Sequence, residues 1–487
     1  MPHPSPNRIP PAPRIALIVL LLAASVLYLL TLDDGLRISE LQGGDLITHQ
    51  YAQVQARPSN APGYPLYTMG GWLWFHLGRL ILGSDSNPIR ILSSYSTFWA
   101  LIALALLYVV LLKTTHGNWL LALLISVFYT VTYFFWYYAV TTEQYTSAVA
   151  HTLTFVGLAW LWHERSEERY LLGLALLMGI GLAHMVTVLF IVPPLLWFVL
   201  AREPELLRRP RFIAKVIGMV LLPLVSYAYV YIQGAQHPEW WGAGQWRNTW
   251  DWFWHFLSTQ QGRDELTWAL GPFTDEFPRL IWGELTVPVL VIGLLGILLL
   301  GRRRAVLLYG TLIIYFLFCY VDRYGNWYQV IMPAYPIVLI GLAAALDRAW
   351  RWQRWTPLLL GLTMLFLIGY RFALSYPRAD CSQRPEDDGL RPGLAILADQ
   401  PAAGAAVLGT YDELVSLRYL TEIWGLRPDV IAVGAPEARK LIENSQKRPL
   451  YVTTTATPIL FQEVTSDAHL SSAGLTLIRV QVRPSVG

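Results

Sequence analysis

Two carboxylates stand just beyond long apolar runs: Asp45 in GGDLITHQ and Glu143 in WYYAVTTEQY. Two such groups on one side of a membrane cleft can supply a general base and the charge or hydrogen bond that supports it. Their spacing equally allows each to be a solvated loop residue. His184 interrupts the apolar stretch GIGLAHMVTVLF. There it can bind an anionic headgroup or diphosphate, or serve as a hydrogen-bonded interior residue at a helix break. Arg323 lies in VDRYGNWYQ with Tyr324 and Tyr328 beside it. Its planar fork can hold two oxygens of a lipid phosphate at once, with interface anchoring or a pairing with Asp322 as the competing role. In NAPGYPLY, Pro62 and Gly63 make a turn, Pro65 suits the first turn of a helix, and Tyr64 and Tyr67 flank that joint. No P-loop, G-x-S-x-G, H-E-x-x-H or dinucleotide glycine pattern occurs, which argues against ATP hydrolysis, serine hydrolysis and zinc proteolysis. Cys319 and Cys381 have no metal-ligand spacing, and no disulfide between them is expected.

The elements that must position these residues follow from composition. Of 487 residues, 54% are hydrophobic and only 14% charged, so most of the surface faces something other than water. A net charge of +3 without a dense basic patch implies no nucleic-acid partner. Runs long enough to span, or nearly so, lie at 15–32, 91–112, 118–138, 145–162, 170–183, 186–200, 213–232, 287–300, 305–321, 331–346 and 356–370. The expected architecture is therefore an α-helical polytopic membrane protein of about eleven spans. The first run is too long for a secretory h-region and lacks a small-residue cleavage site before Asp33 and Asp34, so it reads as a retained helix. The fifth and sixth runs are short and meet at His184, which predicts a break or re-entrant corner.

Arginine-rich short loops, such as 163–169, 202–215 and 302–304, mark the cytoplasmic side and place the N-terminus there. The loops 33–89 and 233–286 are then extracytoplasmic. Within the first, Pro65–Leu82 reads as an interfacial helix, with a true span as the alternative. Within the second, PEWWGAGQWRNTWDWFWHFL is too polar to span and too aromatic for a free loop, so Trp241, Trp246 and their neighbours are expected at the outer interface. From about Ser375 the hydrophobicity drops. Apolar runs at 405–408, 429–433, 450–454 and 475–482 read as strands, and 412–424 and 435–446 as helices. The expected division is a membrane domain over 1–374 and a small extracytoplasmic α/β domain over 375–487.

Taken in order, these segments are similar to a bacterial family of the GT-C glycosyltransferase superfamily whose eukaryotic relatives include a protein O-mannosyltransferase. The likeness is carried by Gly44-Asp45 ahead of PGYPLY (62–67), FWYYAVTTEQYT (135–146), GLAHMVT (181–187), EWWGAGQWRNTWDWFWHFL (239–257), AVLGTYDELVSLRYLTEIWGLRPDVIAV (406–433) and KRPLYVTTT (447–455). It implies a transferase in a bacterial cell membrane that takes a mannose-like sugar from a polyprenyl-phosphate donor outside the cytoplasm. The acceptor is a hydroxyl of a protein or glycan. Asp45 matches the family's catalytic base, Glu143 the acidic residue of the second outer loop, and His184 the polar residue at the fifth-to-sixth corner. Two departures stand out. Leu46-Ile47-Thr48 replaces a run that usually carries a second acid, and Asn60-Ala61-Pro62-Gly63 replaces a His-Pro-Pro-Gly turn.

The chemistry implied is inversion. Asp45 deprotonates the acceptor, Arg323 and His184 neutralise the departing phosphate, and Tyr64, Tyr67, Tyr324, Trp241 and Trp246 line the donor or lean on lipid. A divalent cation is compatible with this but not demanded, because so few carboxylates make a poor site for it. A carrier of lipid-linked saccharides is the competing reading, and it would need charge at midplane depth. A noncatalytic assembly factor, binding a partner through its outer domain, is a third.

Overall fold

In the computed structural model the described residues are 11–242, 244–258, 266–268, 283–323, 325, 327–443, 448–466 and 468–482. They form two compact units, one helical and one bearing a sheet. The helical unit comprises 1–32, 56–74 and 92–381. Among the described residues, five helices are long and apolar enough to cross a membrane: Pro11–Leu30, Pro88–Thr114, Pro210–Gln236, Arg302–Val321 and Thr356–Ala379. The chain is a multi-pass membrane protein.

The expected span over 118–138 is bent. It consists of two helices, Trp119–Thr130 and Tyr133–Val140, meeting at 67°. A break in apolar surroundings strands backbone groups, and side chains satisfy them here. The Tyr28 hydroxyl donates to the freed Thr130 carbonyl at 2.9 Å. The restarting helix gives its Phe134 N–H to the buried carboxylate of Glu284 at 2.8 Å. Glu284 is in turn paired with buried Arg371 at 3.3 Å. The break expected at His184 is present: the helix Glu168–His184 stops and a 3₁₀ segment, Val186–Ile191, follows. Pro65–Leu82 is one continuous helix beginning at its proline.

The second unit comprises Asp33–Gln55, Phe75–Ile91 and Ser382–Gly487, so the start of the first long loop packs with the C-terminal region. Its sheet contains β1 (Ala406–Leu408), β2 (Ile431–Val433), β3 (Leu450–Thr453), β4 (Ala468–Ser472) and β5 (Leu477–Val482). Their spatial order is β2-β1-β3-β5-β4. The first three are parallel, with Ala406 beside Ile431 and Leu450, and β5 joins β3 antiparallel. Burial explains why these short strands are so apolar. Ala406, Leu408 and Val452 enter one core with Leu460, while Val407 and Tyr451 enter the other with Ile396 and Leu417. The strand β4 was not expected from the sequence.

Candidate active site

Glu143 sits in the short link between Tyr133–Val140 and the helix Tyr145–Arg165, and the Pro88–Thr114 helix grips that link from the side. Ser93, Ser96 and Thr97 share one helical face because residues three and four apart are neighbours. The Ser93 hydroxyl lies 3.0 Å from that of Thr142, and Thr97 donates to the Ala139 carbonyl at 2.7 Å. Ser96 Oγ accepts from Glu143 N–H at 3.0 Å and donates to the Glu143 carbonyl at 2.7 Å, holding the peptide from both sides. Glu143 itself is buried, which removes the reading of a solvated loop residue.

One and two turns further along the Tyr145–Arg165 helix, Ser147 and His151 bring His184 into a compact group. His184 Nε2 is 2.9 Å from Ser147 Oγ. That hydroxyl donates its own proton to the Gln144 carbonyl, so the His184 ring must be the donor in the pair. The neutral ring then keeps Nδ1 as an acceptor. Rings close the group: His151 is 4.6 Å from His184, Trp99 5.0 Å and Tyr67 5.3 Å, each edge to face. Tyr67 also lies 5.3 Å from Tyr95, and Tyr64 is buried in the same small cluster. His151, Ser147, Trp99 and Tyr95 were missed in the sequence, although Ser147 and His151 stand four apart on the apolar helix that Glu143 precedes.

Arg323 is buried at the end of Arg302–Val321. Its guanidinium lies 4.5 Å from the Tyr320 ring and donates to the Tyr320 carbonyl at 2.8 Å. Tyr324 lies outside the described residues. Trp241 donates to the Gly234 carbonyl at 2.7 Å and stacks on Trp252 at 5.9 Å. Trp246 packs in the same cluster, near His255. Trp252 is buried, while Trp250 and Trp254 on the same helix, Thr249–Leu257, are more than half exposed.

In the sheet-bearing unit, Asp45 is the first residue of the helix Asp45–Gln55, where the exposed N–H groups of the first turn favour a carboxylate. It is half-buried. One turn on, His49 is buried, and desolvation holds its imidazole below the usual range against the opposing pull of the Asp45 charge. Asp45 and His49 therefore belong to one unit, and Glu143, His184, Tyr64, Tyr67, Arg323, Trp241 and Trp246 to the other.

The described residues thus form a multi-pass helical unit with a buried His–Ser–Glu corner and a small mixed α/β unit. The chain is similar to ArnT from Cupriavidus metallidurans, a GT-C glycosyltransferase, in its crystal structure bound to undecaprenyl phosphate. The TM-score is 0.61 at 13% identity, over 95% of this chain and 97% of ArnT. Against the apo form it is 0.60 at 12%, over 96% and 98%. Residues 45–208 match the N-terminal domain of the protein O-mannosyl-transferase TMEM260 family. The chain thus shares its fold with ArnT, and its stretch 45–208 resembles a protein O-mannosyl-transferase domain. The matched stretch holds Asp45, Tyr64, Tyr67, Glu143 and His184 and ends before Trp241 and Arg323. No curated protein matches the chain.

Proposed function

We propose that this protein is an inverting glycosyltransferase that moves a mannose-like sugar from a polyprenyl-phosphate donor to an acceptor hydroxyl on the extracytoplasmic side of a bacterial inner membrane. The observation that carries it is the match of 45–208 to a protein O-mannosyl-transferase domain, which begins at the proposed base and reaches past the His184 corner. A fold shared with a protein crystallised with undecaprenyl phosphate supports the donor class. In this reading the chain crosses the membrane about eleven times, with shorter helices such as Val186–Leu200 and Val287–Leu300 completing the set. The N-terminus is cytoplasmic, and the C-terminal region from about Ser375 is outside.

The reaction asks for no nucleotide, because a polyprenyl phosphate is itself a good leaving group. Asp45 takes the proton of the acceptor hydroxyl while its oxygen bonds to the anomeric carbon. The carbon–oxygen bond to phosphate breaks, and the electron pair leaves on the lipid phosphate. Arg323 stabilises that charge with its planar fork. His184, whose Nε2 donates to Ser147, orients the site as a neutral ring. Glu143, fixed by Ser96, supplies the second carboxylate.

The test is transfer by the purified chain from polyprenyl-phosphate mannose to a panel of serine/threonine peptides and glycans. Labelled product with one acceptor class is expected; no transfer, with the lipid-linked sugar carried across vesicles instead, contradicts the reading. Arg323→Ala is expected to raise the donor KM about tenfold or more, the loss of one charge-assisted contact. An unchanged donor KM removes Arg323 from the site.

A further inference from the structure

The sheet-bearing unit contains the helix that begins with Asp45, and its strands come from the far end of the chain. The helix Tyr411–Tyr419 continues as a π-turn, Leu420–Trp424, and this element runs beside the Asp45 segment. The wholly buried Tyr419 donates its hydroxyl to Gln50 Oε1 at 2.8 Å, and its ring meets Tyr51 edge-on at 6.2 Å. Gln55 donates to Glu422 at 2.9 Å, and Gln42 to Asp412 at 2.7 Å. Arg79 donates to the Trp424 carbonyl at 2.6 Å. The polar contacts thus bracket Asp45, with one just before its helix and two along it.

A second clamp fixes where this segment begins. Arg384 reaches Asp33 and Asp387 at 3.0 Å each and Glu40 at 3.6 Å, with the Arg384, Asp33 and Asp387 side chains all below a tenth exposed. Asp34 accepts from the Gln383 N–H at 2.8 Å. Both residues of the acidic pair that follows the first apolar run are therefore held by the chain just past the last long helix. Short helices such as Ile38–Gln42 and Asp45–Gln55 have little stability alone and take their position from packing.

We infer that the C-terminal α/β region is the positioning element of the catalytic base, with Tyr419 acting through Gln50 and Arg384 acting through Asp33 and Glu40. This rests on the reading of Asp45 as base. Neither Tyr419 nor Arg384 touches a reacting atom, so both are positioning residues. A base displaced by even an ångström loses much of its rate without changing donor affinity.

The experiment uses the full chain and separates turnover from donor KM. Tyr419→Phe deletes one hydroxyl while keeping the ring on Tyr51. Glu422→Ala, at a half-exposed site, deletes the Gln55 contact without threatening the fold. Both are expected to lower kcat, Tyr419→Phe by roughly tenfold or more, with donor KM unchanged. Combining Tyr419→Phe with Gln50→Met is expected to cost no more than either alone, because both remove the same bond. Asp429→Ala, in an exposed pair with Arg427 elsewhere in the unit, is the control with parental kcat. Parental kcat in both Tyr419→Phe and Glu422→Ala, beside an inactive Asp45→Asn, overturns the inference. So does a loss that vanishes when rates are expressed per folded protein. Parental turnover in Asp45→Asn instead sinks the base assignment itself, whatever the Tyr419 variant does.

Discussion

The two units hold their polar groups by opposite means. In the helical unit, Glu143 and His184 are kept in place by hydroxyls and rings: Ser96 on the Glu143 peptide, Ser147 on the imidazole, Trp99 and Tyr67 on its faces. In the sheet-bearing unit, Arg384 does the fixing, and the carboxyl groups of Asp33, Glu40 and Asp387 converge on it. Hydroxyls and aromatics suit an apolar surround because they satisfy hydrogen bonds without the cost of burying charge. The sheet-bearing unit buries charge even so, offsetting the cost by surrounding one guanidinium with several carboxyl groups. A buried ion pair in the helical unit departs from that pattern. Glu284 with Arg371 has a specific task there: it caps the restarted helix at Phe134.

That exception gives the sharpest way to break the comparison. Arg371→Leu leaves Glu284 buried without its partner beside the helix break. A loss of about 3–5 kcal/mol is expected, read as a fall in thermal midpoint in detergent. A midpoint within error of the parent would mean the pair is solvated after all.

Next in size is a pH effect in the other unit. Burial raises the Asp33 carboxyl above the ordinary 3.8, more than Arg384 lowers it, so the folded state takes up a proton that the unfolded state releases. A raised carboxylate makes the fold less stable as pH climbs from about 4 through its folded value. The stability of the parent relative to Asp33→Asn should then increase as pH falls through the raised folded value towards about 4. A flat difference would show that Asp33 stays charged throughout.

The smallest effect is expected at an exposed edge. Lys113 contacts Glu164 at 2.6 Å, but each side chain is about a third exposed. Lys113→Ala should change stability by less than about 1 kcal/mol, and salt should erase the difference.

The same contrast explains what could be read from sequence. Apolar runs and caps are local, so the break at His184, the helix starting at Pro65 and the strands β1, β2, β3 and β5 were legible. The bend between Thr130 and Tyr133 was not, because one group that satisfies it, Glu284, lies 150 positions away from Phe134. The strand β4 was missed because AHLSS is mostly exposed and shows no alternation to betray it. His151 could have been found from its four-residue spacing to Ser147. The union of the Asp33–Gln55 segment with residues beyond Ser382 could not, since nothing local in Gln50 announces Tyr419.

The most direct measurement compares the parent with Asp45→Asn in transfer from polyprenyl-phosphate mannose, with the anomeric configuration of the product read by NMR. The account predicts a product of inverted configuration from the parent. It also predicts a loss of roughly a hundredfold or more in the variant, the usual worth of a general base, with the fold intact. A retained configuration, or a folded Asp45→Asn that transfers sugar at the parental rate, would contradict it.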